Sequence, residues 1–230
     1  MKQTLSVAPS RKELLWGSIY LILELTVLPS ILTQILDWPK FSLSAGQINV
    51  VFFIVSFGAT TLIFRKFIQN SLLDAIFRFP QILRGALRGF LLYWAGNMLV
   101  TALILGIRPD FMNVNDATID TMMQSDFLPL AICTIFFVPI TEELLFRGIL
   151  FAGFYNRSPV KAFLISCAVF SAIHVVGYID SYSWDTLLLC FIQYIPPSIA
   201  LGLAYAKSGS IFAPMLMHIA INAIGIFAMR

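Results

Sequence analysis

Charge is scarce in this chain of 230 residues. Asp, Glu, Lys and Arg together make up 12% of the sequence, whereas 59% is hydrophobic and 21 residues are Phe. Soluble domains normally carry about 25% charged residues, so most of this surface cannot face water. The composition excludes an ordinary soluble domain and predicts a polytopic membrane protein.

Cysteine is also rare, and its spacing does not suggest a disulfide or metal framework. Cys133, Cys167 and Cys190 lie in separate apolar stretches, and none belongs to a C-x-x-C pair. Neither a disulfide framework nor a thiolate metal site is predicted. We interpret the three cysteines as packing residues.

Several motifs of known enzymes are missing. The apolar stretches contain no G-x-S-x-G serine motif and no G-x-G-D aspartate motif, and the chain has no H-E-x-x-H zinc helix. Sequence repeats and low-complexity tracts are absent as well. These absences argue against serine and aspartate intramembrane proteases and lower the expectation of a transporter built from inverted repeats.

Seven apolar segments approach the roughly 20 residues that a membrane-spanning helix needs. We therefore predict an all-α bundle of seven or eight transmembrane helices. The count depends on segment 127–154, which contains Pro139 and is either one helix or a re-entrant piece followed by a helix near the glutamates. Pro196 and Pro197 should disturb the sixth segment. The predicted segments are 13–36, 47–64, 89–107, 127–154, 160–178, 186–206 and 211–229.

The distribution of basic residues predicts the topology. Residues 1–12 are expected to form a short cytoplasmic tail and 13–230 a single transmembrane domain, the first segment being retained because it lacks a signal cleavage site. With the N-terminus inside, eleven of the 15 Lys and Arg residues fall on the cytoplasmic side. Those eleven are Lys2, Arg11, Lys12, Arg65, Lys66, Arg78, Arg84, Arg88, Arg157, Lys161 and Lys207.

Three remaining basic residues, Lys40, Arg108 and Arg230, fall on the opposite side, and Arg147 lies inside a span. That side is expected to carry an acidic loop with Asp110, Asp116, Asp120 and Asp126. Residues 65–88 form the longest cytoplasmic connection, either an amphipathic helix on anionic headgroups or an ordinary linker. Because topology accounts for the basic residues, no nucleic-acid partner is predicted.

Three of the apolar stretches carry polar groups that lipid-facing helices normally exclude. They are Glu142-Glu143 with Arg147, then His174, then His218 with Asn222, and they include both histidines of the chain. An ionisable side chain within a transmembrane helix costs roughly 2.5–3.5 kcal/mol on insertion scales. A set supplied by three helices therefore predicts a polar interior with a function.

Helical spacing separates the two glutamates. Glu143 and Arg147 are four residues apart in the order that favours an ion pair, whereas Glu142 is rotated by about 100° and is the freer carboxylate. Phe170 and His174 share one helix face, as do His218 and Asn222. The alternatives are a buried charge network that holds helices together, a packing histidine at 174, and interhelical hydrogen bonds from the last pair.

Taken together, these groups suit hydrolysis of an amide. Water attack needs a general base, a group that handles the proton, and donors for the developing oxyanion. Glu142, His174, His218 and Asn222 can supply all three. Each also lies about 10–20 Å inward from the predicted cytoplasmic boundary at 1.5 Å per residue, so they could meet near the middle of the membrane.

The ordered set of motifs resembles the CPBP intramembrane proteases, which include the type II CAAX prenyl endopeptidases and the bacterial Abi, or bacteriocin-immunity, proteins. The run Glu142 to Arg147, then Phe170-x-x-x-His174, then His218-x-x-x-Asn222 is similar to the three signature motifs of that family. The stretch from Gly202 to Asn222, which includes Ser208-Gly209-Ser210-Ile211, resembles its final helical hairpin. The likeness covers about residues 127–225, the expected catalytic core.

This resemblance implies specific roles. Glu142 would activate water with help from His174, His218 and Asn222 would stabilise the oxyanion, and Glu143 and Arg147 would hold the base in place. Phe170 is a candidate substrate contact. The resemblance also implies a bundle of eight spans in a lipid bilayer, here the inner membrane of a prokaryote, acting as a glutamic peptidase on a membrane-embedded or lipidated peptide or protein.

Three alternatives remain open from the sequence. Glu142, His174 and His218 with a water are a plausible zinc set, although we favour a mechanism without metal or other cofactor, since the ligands would come singly from three helices. A proton-coupled transporter would use the buried charges as a relay. A non-catalytic immunity or scaffold protein would bind a partner without hydrolysis.

Overall fold

A computed structural model describes residues 5–36 and 43–228, and within these ranges the chain is helical with no β-strand. The predicted all-α class is confirmed. Counting the two pieces on either side of Tyr194 as one helix gives eight helices in the described part of the chain, within the predicted seven or eight. They are α1 Arg11–Thr26, α2 Leu28–Leu36, α3 Ala45–Ile63, α4 Arg65–Ile107, α5 Val114–Tyr155, α6 Pro159–Val176, α7 Trp184–Ser208 and α8 Phe212–Ala228.

The helices have the length and composition of an integral membrane protein. Five of them, α3 to α7, are long and apolar enough to cross a bilayer, and α8 is a shorter apolar helix. Large apolar side chains are exposed along α4, including Leu91, Leu99 and Leu103 at 60–62%. Such a surface is stable where lipid rather than water surrounds it.

Of the two alternatives for segment 127–154, the structure has the single helix and not the re-entrant piece. The helix α5 continues without interruption through Pro139, with a kink at Asp126. Two π-helical stretches, Cys133–Phe137 and Glu143–Phe151, flank Pro139. A π-helical turn changes the hydrogen-bond register locally, so the helix accommodates a residue that has no amide hydrogen. The eighth helix arises instead at Val27, which separates α1 from α2.

The boundaries of two predicted connections also change. Residues 65–88 are helical but continue directly into the predicted span at 89–107, forming the 43-residue helix α4 with Pro80 inside it. At 1.5 Å per residue this helix is about 65 Å long, roughly twice the hydrocarbon thickness. The acidic loop is shorter than predicted, because Asp116, Asp120 and Asp126 lie in α5, which Asn113 caps through its side chain.

The prediction that Pro196 and Pro197 disturb the sixth span is confirmed. The helix α7 bends at Tyr194, between an α-helical piece that ends at Gln193 and one that begins at Ile195. The two prolines occupy the first turn of the second piece, where an amide hydrogen has no partner within the helix. The bend fixes the direction in which the Tyr194 side chain points.

Small residues allow α4 and α7 to pack closely. A Cβ added at Gly85 would lie 3.1 Å from the Ala204 carbonyl oxygen, and one added at Gly89 would lie 3.0 Å from the Ala200 carbonyl oxygen. The spacing of four residues on both helices matches the small-x-x-x-small pattern of membrane helix pairs. This contact holds α7 against the core of the bundle.

The first described residues are attached to the bundle. Ser6 donates its amide to the Gly209 carbonyl at 2.9 Å and its hydroxyl to Asp74 at 2.7 Å. The buried Glu13 carboxylate accepts a hydrogen bond from the Phe67 amide at 2.7 Å. Residues 5–10 therefore pack against α4 and the turn between α7 and α8. The predicted charges Lys2, Lys40 and Arg230 lie outside the described residues.

Candidate active site

Three helices bring the predicted site residues to one cavity. Its walls include Glu142 from α5, His174 from α6, and His218 and Asn222 from α8, and its volume is about 470 Å³. The polar groups therefore face a shared interior space. The predicted convergence of these four side chains is what the structure shows.

A buried ion network lies behind the cavity wall. Glu143 and Arg147 are both 0% exposed, and the Arg147 Nε lies 3.3 Å from the Glu143 Oε2. The His218 Nδ1 lies 2.9 Å from the Glu143 Oε1. Because a carboxylate only accepts, the Nδ1 hydrogen of His218 is donated to Glu143. Glu143 thus fixes the orientation of the His218 ring.

Arg147 has further partners besides Glu143. Its Nη2 donates to the Ser198 carbonyl oxygen at 3.0 Å, and its guanidinium carbon lies 4.5 Å from the centre of the Phe170 ring. Phe170 is 2% exposed and also packs against Phe146 at a ring distance of 5.6 Å. Phe170 forms part of the cavity wall chiefly by packing, and its predicted contact with substrate stays a prediction.

Glu142 differs from its neighbour in exposure and in partners. Its side chain is 17% exposed, and its Oε2 lies 3.8 Å from the His218 Nε2, beyond hydrogen-bond distance. That oxygen is itself buried and has no hydrogen-bond partner. Buried carboxylate oxygens are normally hydrogen-bonded. Glu142 is therefore a carboxylate with an open acceptor site at the edge of the cavity.

His174 is held on two sides. Its Nδ1 lies 2.7 Å from the Phe170 carbonyl oxygen, which can only accept, so this nitrogen carries hydrogen. Its ring stacks on the Tyr194 ring with centroids 4.0 Å apart. In the neutral ring, the Nε2 of His174 then has a free lone pair. His174 is arranged to accept a hydrogen bond or a proton at that atom.

Asn222 is anchored to the π-helical part of α5. Its Nδ2 donates to the Thr134 carbonyl oxygen at 2.8 Å. A side-chain amide has two hydrogens on this nitrogen, so one remains for a group in the cavity. The oxygen of Asn222 is an additional acceptor.

A second polar part of the cavity wall was missed by the sequence reasoning. It is formed by Asn113, Asn115, Asp116, Gln193 and Tyr194. Two further amides, Asn49 and Asn97, line the same cavity from α3 and α4. These two stand in apolar stretches, as the catalytic candidates do, and that signal could have identified them. Asn113, Asn115 and Asp116 had been assigned to a loop.

The side chains do not form an evident metal site. Among residues 5–36 and 43–228, no group of three or more His, Cys, Asp or Glu side chains is arranged to hold a metal ion. One ring nitrogen of His218 is used by Glu143, and one of His174 by a carbonyl. Each histidine keeps its Nε2 free, and a hydrogen bond at the other ring nitrogen is also usual in metal-bound histidines. The zinc hypothesis and metal independence therefore both stay predictions.

Comparisons with known proteins match the part of the chain that contains Glu142, His174, His218 and Asn222. Residues 124–224 match a family called Rce1-like, which is described as type II CAAX prenyl endopeptidase Rce1-like. A stretch of 136 residues is 30% identical to the UPF0177 protein YxdF of Lactococcus lactis subsp. lactis (strain IL1403), covering 57% of this chain and 68% of that protein. No solved structure gives a significant match.

Proposed function

The chain belongs to the Rce1-like family of type II CAAX prenyl endopeptidases, and we propose that it hydrolyses a peptide bond of a membrane-associated protein or peptide. One observation carries the proposal. Glu142 is an unpartnered carboxylate at a cavity that His174, His218 and Asn222 also line. A base, a second proton acceptor and two sets of donors then surround one space large enough for a peptide segment.

In the first step, Glu142 activates a water molecule. The carboxylate accepts one proton from the water as the water oxygen forms a bond to the scissile carbonyl carbon. His174 orients that water through its Nε2 lone pair. When the carbon–nitrogen bond breaks, Glu142 returns the proton to the leaving nitrogen, so that the carboxylate is restored.

His218 and Asn222 stabilise the tetrahedral oxyanion. Since the Nδ1 hydrogen of His218 is donated to Glu143, donation to an oxyanion requires a second ring hydrogen, at Nε2. His218 therefore enters this step with both nitrogens protonated, and the Glu143 carboxylate balances its charge. The free Nδ2 hydrogen of Asn222 is the second donor. Arg147 holds Glu143, so these two residues support the oxyanion donor more directly than the base.

Loss of either oxyanion donor should slow turnover without preventing substrate binding. We expect His218→Ala and Asn222→Ala each to lower kcat by roughly 10² to 10³, as is typical for one such donor. Steady-state kinetics with the purified protein in proteoliposomes measures this. Asn49→Ala is the matched control, because it removes an amide from the same cavity but is no part of the proposed oxyanion site. An equal loss of kcat in all three variants would contradict the assignment.

The mechanism requires no metal ion. We expect hydrolysis to survive exhaustive treatment with EDTA and 1,10-phenanthroline, with a rate within about twofold of the untreated protein, because water activation depends on Glu142. Metal analysis of the purified protein is done in parallel. Stoichiometric zinc that is lost together with activity when His174 or His218 is replaced would establish a zinc site instead.

Substrate and cleavage site can be obtained together in cells. Membrane peptides are compared by mass spectrometry between cells with the wild-type protein and cells with Glu142→Gln. Peptides that accumulate only with the wild type identify the products. The predicted orientation, with the N-terminus in the cytoplasm of a prokaryotic cell, is part of the same proposal, and the side on which products appear tests it.

A further inference from the structure

The second polar part of the cavity wall is centred on Asp116 in the first turn of α5. The Tyr194 hydroxyl lies 3.4 Å from the Asp116 Oδ1, and the Asn115 Nδ2 donates to that hydroxyl at 3.0 Å. The Tyr178 hydroxyl in turn lies 3.4 Å from the Asn115 Oδ1. These contacts hold the carboxylate in a fixed position while it remains accessible from the cavity.

Tyr194 connects this carboxylate to the proposed catalytic residues. One face of its ring stacks on His174 with centroids 4.0 Å apart, and its hydroxyl reaches Asp116. Asp116 is thus about one tyrosine side chain away from His174. An extended peptide advances roughly 3.3–3.6 Å per residue. The separation corresponds to a side chain about two or three residues from the scissile bond.

The two carboxylates on the cavity wall differ in their cationic neighbours. The Glu142 Oε2 lies 3.8 Å from the His218 Nε2, whereas Asp116 has no such neighbour, and no Lys or Arg in the described part of the chain lines the cavity. The guanidinium of Arg147 is 0% exposed and is used by Glu143. Arg108, which follows α4, pairs at 2.8 Å with Asp185 in the first turn of α7. No ion pair to Asp116 occurs among the described residues.

We propose that Asp116 is a specificity residue that pairs with a basic side chain of the substrate, two or three residues from the bond cleaved. The inference rests on the peptidase function proposed above. A carboxylate near a substrate cation is favourable, whereas a second anion in the same cavity is repelled.

Matched peptides test the inference. Internally quenched apolar peptides carry Lys, Gln or Glu at one position at a time. With the wild-type protein in proteoliposomes, we expect kcat/KM to be about 10-fold or more higher for Lys than for Glu at one position.

Variants of the carboxylate assign the preference to one residue. Asp116→Asn should remove the Lys preference while retaining cleavage of the Gln peptide, and Asp116→Glu should keep it. Asp120→Asn is the matched control, because it removes a carboxylate one helical turn further along α5 that does not line the cavity. An unchanged Lys preference in Asp116→Asn would overturn the inference.

A binding measurement separates this inference from the proposed function. A fluorescent form of the Lys peptide is titrated against Glu142→Gln and against the double variant Glu142→Gln/Asp116→Asn. We expect the double variant to bind about 10-fold more weakly. Cleavage without a charge preference refutes the inference alone. Asp116-dependent binding without any cleavage by the wild type refutes the peptidase and leaves the recognition site.

Discussion

Glu142→Gln is expected to reduce peptide hydrolysis by about 10² to 10⁴, the range found when a general base is lost. Glutamine has the same shape but cannot accept the proton of the attacking water. The Oε2 of Glu142 has no hydrogen-bond partner, and its distance of 3.8 Å to the His218 Nε2 exceeds a hydrogen bond. The fold therefore loses little, and the thermal unfolding midpoint in detergent should stay close to that of the wild type.

The matched control is Glu13→Gln. That carboxylate is also buried but lies outside the cavity, where it accepts hydrogen bonds from Ser10 and Phe67. We expect Glu13→Gln to lower stability and to leave the rate per folded molecule unchanged. His174→Ala should behave like Glu142→Gln, since both act on the same water.

Glu142→Gln also distinguishes a peptidase from the other classes of function. A transporter would show altered proton-coupled flux in liposomes and no peptide products in either form. A scaffold or immunity protein would keep its biological activity with Gln at position 142. Peptide hydrolysis that continues at more than about a tenth of the wild-type rate would mean that another group is the base.

The site could be predicted from the sequence because its residues are conspicuous. Ionisable groups inside apolar helices are costly, so each of Glu142, His174 and His218 marks a place where the helix must face a polar space. Spacing of four residues then placed Asn222 beside His218 without any coordinates. These inferences depend on local geometry and on the cost of burial, both of which a sequence contains.

The partners of Glu143 were harder to predict from the sequence. The sequence indicated its ion pair with Arg147, which is local, but not its hydrogen bond with His218, 75 residues away. Hydrogen bonds between α5 and α8 depend on how the helices are rotated against each other. That rotation is set by packing over the whole bundle.

The predicted helix boundaries were wrong where a helix continues through residues of low hydropathy. Residues 65–88 contain five basic residues, and this lowered their hydropathy to that of a linker, yet the backbone continues as α4. Hydropathy reports the surroundings of a segment, whereas a helix ends where its hydrogen bonds end. The G-x-x-x-G spacing of Gly85 and Gly89 was a readable signal that this stretch packs tightly on α7.

The second large effect is expected from Arg147→Met, which should destabilise the protein by about 3–5 kcal/mol. The substitution keeps much of the volume but removes the guanidinium from the Glu143 carboxylate, which is 0% exposed and keeps only the hydrogen bond with His218. It also removes the contact of the guanidinium with the Phe170 ring at 4.5 Å and the hydrogen bond to Ser198 at 3.0 Å. Denaturant titration in mixed micelles, followed by tryptophan fluorescence, measures the loss.

Two further variants test whether the unpaired Glu143 carboxylate causes this loss of stability. Arg108→Met breaks the ion pair with Asp185, whose side chain is 69% exposed, and should cost far less stability than Arg147→Met, because solvent screens an exposed pair. The double variant Glu143→Gln/Arg147→Met removes both buried charges and should recover part of the lost stability. A double variant that is no more stable than Arg147→Met would show that the unpaired carboxylate is not the cause.

Activity in that double variant should not recover with stability. Without the Glu143 carboxylate, the Nδ1 hydrogen of the doubly protonated His218 that the oxyanion step requires has lost its anionic acceptor. A folded double variant with kcat reduced by about 10² or more would therefore separate the two roles of this network. Stability needs the charges of Glu143 and Arg147 to be matched, whereas hydrolysis needs the negative charge of Glu143 itself beside the His218 ring.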